Sequence, residues 1–204
     1  MDLQQIEAIF QKRRPDAVGA FHRYSVLMPL VEKDGALHLL YEKRGSEIDR
    51  QPGEVSFPGG AQEEGETPLM CAVRETMEEL GVAREAVEVI SKADTLYGGR
   101  DFLISSYLGR LDISQMHPSP VEVAEVFLVP LDYFLTHEPY RAEMTFQPDP
   151  DQPFPYEKIH FPQGYHWRDI TYDVPIYDYQ GYIIWGLTGR MTYNLVQILK
   201  GEKR

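Results

Sequence analysis

The sequence predicts an α+β fold in which a mixed β-sheet lies sandwiched between α-helices. Three observations lead there. Runs of strand-like pattern surround two or three helices, an Asp-Gly pair joins the first two runs, and one helix is punctuated at both ends by capping residues. At 204 residues, with 43% hydrophobic side chains, the chain suits a single domain over 1–204 with a sizeable core. No repeat or low-complexity linker divides it.

Leu3, Ile6, Ile9 and Phe10 recur at helical spacing, so an amphipathic helix is expected over about 2–13, ending before Pro15 and serving to pack. From Tyr24 the period changes. "YSVLMPLV" and "ALHLLYEKR" read as antiparallel strands joined by Glu32-Lys33-Asp34-Gly35, since Asp-Gly favours a tight hairpin. Residues 45–66, rich in Gly, Pro and charge, read as a loop. A helix follows over Pro68–Leu80: Thr67 suits the N-cap, Pro68 the first turn and Gly81 the position past the last turn. Leu69, Val73, Thr76 and Leu80 share its apolar face, and Glu75, Glu78 and Glu79 fall mostly on the other side. Strands are expected at about 86–96, 102–111 and 124–129, the first two joined by a turn through Tyr97-Gly98-Gly99-Arg100-Asp101. A short helix is expected over 130–137 and a loop at "QPDPDQPFP". Short aromatic-rich strands within "IHFPQGYHWRDITYDVPIYDYQGYII" and a closing helix over about 185–200 complete the chain.

Composition narrows the function. No run approaches the ~20 apolar residues of a membrane helix, and the N-terminal stretch lacks the apolar centre of a signal peptide, so a cytoplasmic protein is expected. Cys71, the one cysteine, allows no internal disulfide and no cysteine zinc site. A net charge of -12 argues against binding nucleic acid or anionic membranes, which requires clustered cations. A phosphate compound remains admissible only if cations stand between it and the acidic protein.

Glutamates at i, i+3 and i+4 repel one another on a helix at roughly a few tenths of a kcal/mol per pair, so Glu75, Glu78 and Glu79 call for something to hold. Carboxylates beside a backbone carbonyl form a hard-oxygen site suited to Mg²⁺ or Mn²⁺, and no nitrogen or sulfur ligands stand nearby to favour zinc. The preceding "SFPGG" lets the backbone approach a ligand closely. The sequence contains no G-x-x-x-x-G-K-[ST] loop, no G-x-G-x-x-G after a strand and no G-x-S-x-G elbow. Metal-assisted hydrolysis of a diphosphate is what remains.

Gly60, Glu66, Arg74, Glu75, Glu78, Glu79, Gly81 and Val82, within 60–82, resemble the box of the Nudix hydrolases, G-x5-E-x7-R-E-U-x-E-E-x-G-U with U apolar. Thr76 departs from it, standing where an aliphatic residue is usual; slightly weaker packing and intact chemistry are expected. The resemblance implies the Nudix fold and cleavage of a nucleoside diphosphate linked to another group. It implies that Glu75, Glu78 and Glu79 ligate Mg²⁺ or Mn²⁺ with a carbonyl of Gly59 or Gly60, and that Arg74 orients the carboxylates. Glu66 would support the loop or reach a metal through water.

Upstream, Leu39, Leu40, Arg44, Gly53, Phe57, Pro58, Gly59 and Gly60 resemble the signature of the coenzyme A diphosphatases. Tyr41 stands there for a threonine and Asp49 for an arginine, with Arg50 one residue later. "IIWGLTGRM" also looks like that group's closing helix. The implied reaction cuts coenzyme A, or a derivative, into 3',5'-ADP and 4'-phosphopantetheine. The 3'-phosphate needs a basic partner, for which Lys43, Arg44 and Arg50 are the nearest candidates; Phe57 and Gly59 join Arg44 and Arg50 as implied substrate contacts. Glu79 is a candidate to take a proton from the attacking water, and Glu122 or Glu125 could also lie near the site. Among Tyr165, Trp167, Tyr172, Tyr177, Tyr179, Tyr182 and Trp185, one or two are candidates to stack on adenine or line the pantetheine arm, the rest being core. His137, His160 and His166 read as surface or packing. The implied partner is a small nucleotide diphosphate, for a monomer or homodimer. The alternatives are a Nudix hydrolase of another nucleoside diphosphate such as ADP-ribose, or a sensor that binds without cutting.

Overall fold

Helix α1 (Leu3–Lys12) starts where Asp2 accepts the Gln5 main-chain N–H at 2.8 Å while Gln5 Oε1 accepts that of Asp2 at 3.0 Å, a reciprocal cap. The computed structural model describes residues 1–13, 15–19, 21–46, 51–98, 101–147, 149 and 154–202. Within them α1 buries none of its residues, and Leu3, Ile6, Ile9 and Phe10 stay exposed, contrary to the packing role expected of that stripe. Its local capping, rather than burial, accounts for the helix.

β1 (His22–Lys33) and β2 (Ala36–Arg44) form the expected hairpin. Asp34 and Gly35 both take positive φ, 52° and 74°, as a tight turn matched to strand twist requires. The segment read as loop supplies two short strands instead, β3 (Val55–Ser56) on β2 and β4 (Gly59–Ala61) on β1. The two glycines hid β4 from a propensity reading. A Cβ on Gly59 would stand 2.3 Å from Ser25 O and 2.7 Å from Val26 Cα, so only glycine lets this strand lie against β1.

α2 (Pro68–Leu80) has the predicted bounds and caps: Thr67 Oγ1 accepts the Met70 N–H at 3.2 Å, and Gly81 turns left-handed at φ 58°. Its buried face differs from the expected one. Leu69 is exposed, and Cys71, Ala72, Val73, Thr76 and Leu80 face the sheet, two small side chains taking the place assigned to a large one. The Thr76 hydroxyl donates to Ala72 O at 2.6 Å, so this fully buried departure from the apolar pattern leaves no orphaned polar group.

β5 (Val87–Gly98), β6 (Phe102–Leu111), β7 (Val123–Pro130) and α3 (Leu131–Thr136) follow close to their predicted places, although Gly99 and Arg100 of the predicted turn lie outside the described residues. β8 (Tyr140–Phe146) was not foreseen. It pairs with β9 (Ile170–Tyr179), and β10 (Tyr182–Ile184) completes a second, antiparallel sheet. Residues 159–169, expected to hold strand, do not. Most of the predicted loop at 147–155 lies outside the described residues. α4 (Gly186–Leu199) closes the chain as predicted.

The main sheet runs β3-β2-β1-β6-β5, with β4 on β1 and β7 on β2; β1 and β6 are parallel and the other pairs antiparallel, so the sheet is mixed. Alternation along β1 sorts the core. Leu27 and Val31 meet Ala72, Val73 and Leu80 of α2 on one face; Val26 and Met28 meet Met191, Leu195 and Val196 of α4 on the other, with Phe134 of α3 in the same cluster. The expected sheet between helical layers is what forms. No described helix is long and apolar enough to cross a membrane.

Candidate active site

Arg74 is the hub of the acidic helix. Its Nε and Nη2 engage Glu66 Oε1 and Oε2 at 3.0 and 3.1 Å as a fork, and its Nη1 reaches Glu75 Oε1 at 2.8 Å and Glu78 Oε2 at 3.0 Å. One guanidinium therefore holds three carboxylates at fixed angles. Glu66, paired in this way, falls below the usual carboxylate range, and Arg74 itself is held above its ordinary value, chiefly by Glu66.

Glu79 points inward and is 6% exposed. The Gly59 main-chain N–H donates to its Oε2 at 2.8 Å, which ties the helix to β4. Gly60 lies against Glu75 so closely that a Cβ there would come within 2.4 Å of the Glu75 carboxylate carbon. The glycine pair thus sets both the strand and the position of two carboxylates.

A second buried acid, which the sequence reading missed, stands beside Glu79. Glu42, in β2, is fully buried; its Oε1 accepts the Ser56 hydroxyl at 3.0 Å, and its Oε2 has no hydrogen-bond partner among the described residues. Burial first raises Glu42 and Glu79 above the ordinary glutamate value; the charge of Glu42 adds to the rise at Glu79, those of Glu122 and Glu75 to the rise at Glu42, and Arg44 opposes both. Glu75 is raised as well, by burial first. The signal for Glu42 was available: it is the one acid in "LLYE", where Leu39, Leu40 and Tyr41 are wholly buried too.

Among the described residues no three acidic, histidine or cysteine side chains already enclose an ion. Glu75 and Glu78 are turned to Arg74, and Glu79 to Gly59. The donor set nevertheless fits a hard divalent cation. Carboxylate and carbonyl oxygens dominate the acidic face, with the Cys71 thiol 3.5 Å from Gly60 O, and the Glu42 Oε2 without a partner among the described residues marks a buried acid whose ionised form a cation would stabilise.

From Gly59 and Gly60, which touch Glu79 and Glu75, a cleft of about 420 Å³ opens; it is lined also by Phe57 and Arg44, by Tyr24, Phe102 and Ile104 of the sheet, and by Trp185, Leu187, Thr188 and Met191 from the start of the closing helix. Arg44 stands on the cleft wall, and Phe57 is a 2% exposed floor that stacks on Tyr41. Arg50 and Asp49 lie outside the described residues. Lys43 is exposed and faces Glu125 across β7. Glu125 is not brought to the acidic helix: it is exposed, and Tyr182 donates its hydroxyl to it at 2.5 Å. Glu122 is the nearer of the two, its charge being felt at Glu42 and Glu75. Of the aromatics singled out, Trp185 lines the cleft, Tyr177 is core, Tyr182 stacks on Phe127 at 3.9 Å, and Tyr165 and Trp167 pack on each other.

A mixed sheet between two helical layers here carries an acidic helix held against a glycine pair at one end of a cleft. The chain belongs to the Nudix family: the family model described as the NUDIX domain matches residues 21–147. The chain is 39% identical over 128 residues to the peroxisomal coenzyme A diphosphatase NUDT7 of Mus musculus, covering 62% of this chain and 54% of that one. To the mitochondrial coenzyme A diphosphatase NUDT8 of Homo sapiens it is 32% identical over 180 residues, covering 86% of this chain and 68% of that one. The chain thus spans about half the length of the first relative and about two thirds of the second. A MutT/nudix family protein from Enterococcus faecalis, 13% identical, aligns with a TM-score of 0.49 over 98% of this chain and 70% of that one.

Proposed function

We propose that this chain hydrolyses the diphosphate linkage of coenzyme A or its derivatives, giving 3',5'-ADP and 4'-phosphopantetheine or its acylated form. One observation carries the reading: Glu75, Glu78 and Glu79, ordered by Arg74 and the Gly59-Gly60 pair, stand beside a cleft that also holds Arg44. The names of the two mammalian relatives support the choice of substrate.

Glu75, Glu78, Glu79 and the Gly60 carbonyl would hold Mg²⁺ or Mn²⁺. When bound, the ion supplies charge neutralisation on the diphosphate and a more acidic water. The chain's own residues do the rest. Arg74 keeps Glu75 and Glu78 from splaying under mutual repulsion. Arg44 offers a fixed cation on the cleft wall for a phosphate oxygen. Glu79, aimed by the Gly59 N–H and buried in low-dielectric protein, would accept a proton from the attacking water. Trp185 gives the cleft mouth an aromatic face for the adenine ring or the pantetheine arm. The lone Cys71 suits a reducing interior such as the cytoplasm, while the two named relatives are peroxisomal and mitochondrial by name.

The test is product analysis by mass spectrometry, with Mn²⁺ present, over coenzyme A, acylated coenzyme A, ADP-ribose and dinucleoside polyphosphates. Release of 3',5'-ADP is the expected result. Robust cleavage of ADP-ribose alone would replace this substrate by another nucleoside diphosphate, and tight binding without turnover would make the chain a sensor.

A further inference from the structure

A second cavity, of about 350 Å³, continues the cleft along the same face of the sheet. The register shows the continuity. Tyr24 and Val26 of β1, Phe102 and Ile104 of β6 and Leu187 and Thr188 of α4 line the cleft. Met28, Ser106 and the pair Arg190 and Asn194, the next positions along the same three elements, line the second cavity, and Met191 borders both. β1 and β6 are parallel, so both strands run out of the cleft in the same direction. At ~3.3 Å per residue the floor from Tyr24 to Met28 alone extends roughly 13 Å. A ligand lying along it is longer than a diphosphate.

The far cavity differs in chemistry from the near one. Arg190 stands on its wall with its guanidinium carbon 5.5 Å from the Tyr172 ring centre, and among the described residues no carboxylate forms an ion pair with it. In a chain with 32 acidic against 20 basic residues, an arginine lining a cavity and left without an acidic partner among the described residues is positioned for an anion from outside. Asp94 also lines the cavity, but its Oδ2 is occupied by Asn194 Nδ2 at 2.9 Å. An aromatic ring under the guanidinium holds the fork in place without consuming its N–H donors, which is the arrangement that suits bidentate contact with a phosphate monoester.

We propose that the cavity between β5, β6 and α4 is a specificity compartment in which Arg190 binds a terminal phosphate monoester of an elongated nucleoside diphosphate, while the scissile diphosphate lies beside α2. This deepens the proposed function and rests on it for where cleavage occurs. It assigns the 3'-phosphate of a coenzyme A-like substrate to Arg190, and leaves Arg44, whose charge is felt by Glu42 and Glu79, to the diphosphate.

Two measurements test it. The first is calorimetric binding of adenosine 3',5'-bisphosphate and of 5'-AMP, which needs no turnover. Wild type should prefer the bisphosphate by about tenfold or more, Arg190→Ala should abolish the preference, and Arg190→Lys, which keeps the charge but loses the fork, should restore part of it. Equal binding by wild type, or a preference that survives in Arg190→Ala while thermal unfolding shows the variant folded, overturns the proposal. The second is steady-state kinetics with coenzyme A and its dephospho form. Arg190→Ala should raise KM for coenzyme A by about tenfold with kcat kept, and leave the dephospho form unchanged; equal rises for both overturn it. If wild type shows the binding preference and cleaves neither compound, the compartment stands and the proposed reaction fails.

Discussion

The Gly59 main-chain N–H and the Glu79 carboxylate meet at 2.8 Å, across 20 residues of sequence. That contact fixes the one buried glutamate of α2 to β4, whose approach to β1 requires glycine at position 59. It predicts that Glu79→Gln, which keeps the shape and can still accept the bond through its amide oxygen, folds as well as wild type and without metal is slightly more stable, because one of two repelling buried acids is gone. Turnover should fall by about 10²–10⁴ if Glu79 takes the proton. Initial rates with Mn²⁺ and a thermal melt read both outcomes; a variant that keeps near wild-type turnover removes Glu79 from the reaction.

The two glycines separate into different roles. At Gly59 a Cβ would strike backbone, Ser25 O and Val26 Cα. At Gly60 it would strike only the Glu75 side chain, which can swing. Gly59→Ala should therefore cost stability, about 1–3 kcal/mol by the usual scale of forced overpacking. Gly60→Ala should melt within a few degrees of wild type yet lose most of its activity, since it turns Glu75 out of place. Denaturant melts beside rate measurements distinguish them, and the reverse pattern would refute the assignment.

How much of this was legible beforehand differs from element to element. α2 announced itself because Thr67, Pro68 and Gly81 act within a turn of their own positions, and local chemistry is what a sequence states directly. β4 did not, because glycine has no strand propensity; its reason for being there is the backbone of Ser25 and Val26, distant in sequence. β8 was missed since its pairing with β9 covers few of its side chains, leaving Tyr140, Met144 and Phe146 exposed. Helix α1 showed the opposite failure: its apolar stripe is real and stays exposed. In the site, the box residues were readable from spacing, whereas Glu42 and Arg190 gain their meaning only from what β2 and α4 bring beside them.

The buried pair Glu42 and Glu79 makes the metal-free fold sensitive to pH, and the sign is set by the direction of the shifts. Both carboxyls titrate above the ordinary glutamate value of 4.5 when folded, so the folded state holds protons that the unfolded state has released. Their contribution is full below 4.5 and is lost as pH rises through the raised folded values. With chelator present, the melting temperature should fall as pH climbs from the ordinary glutamate value through neutrality and beyond. Glu42→Gln should flatten that slope, and saturating Mg²⁺ should raise the melting temperature more at alkaline than at acidic pH. A metal-free fold that stabilises over the same range would contradict the placement of these two acids.

Tyr41 explains the departure from the threonine of the coenzyme A diphosphatase signature. Its fully buried ring stacks between Phe57 at 4.7 Å and Phe127 at 5.5 Å, and its hydroxyl meets Thr192 Oγ1 at 2.9 Å, so β2 is tied through it to the closing helix that walls the cleft. Burial also pushes its phenol well above the ordinary range, keeping it neutral. Tyr41→Phe removes only the hydroxyl and leaves Thr192 short of a partner, a loss of about 1–3 kcal/mol. Tyr41→Thr restores the signature but empties the space of a ring, at a cost of about 3–5 kcal/mol, the range of large aromatic truncations. Denaturant unfolding should rank wild type above Phe above Thr, with kcat kept in the Phe variant because the hydroxyl faces α4 and not the acidic helix. If Tyr41→Thr were as stable as wild type, the ring would not be filling the core between sheet and closing helix.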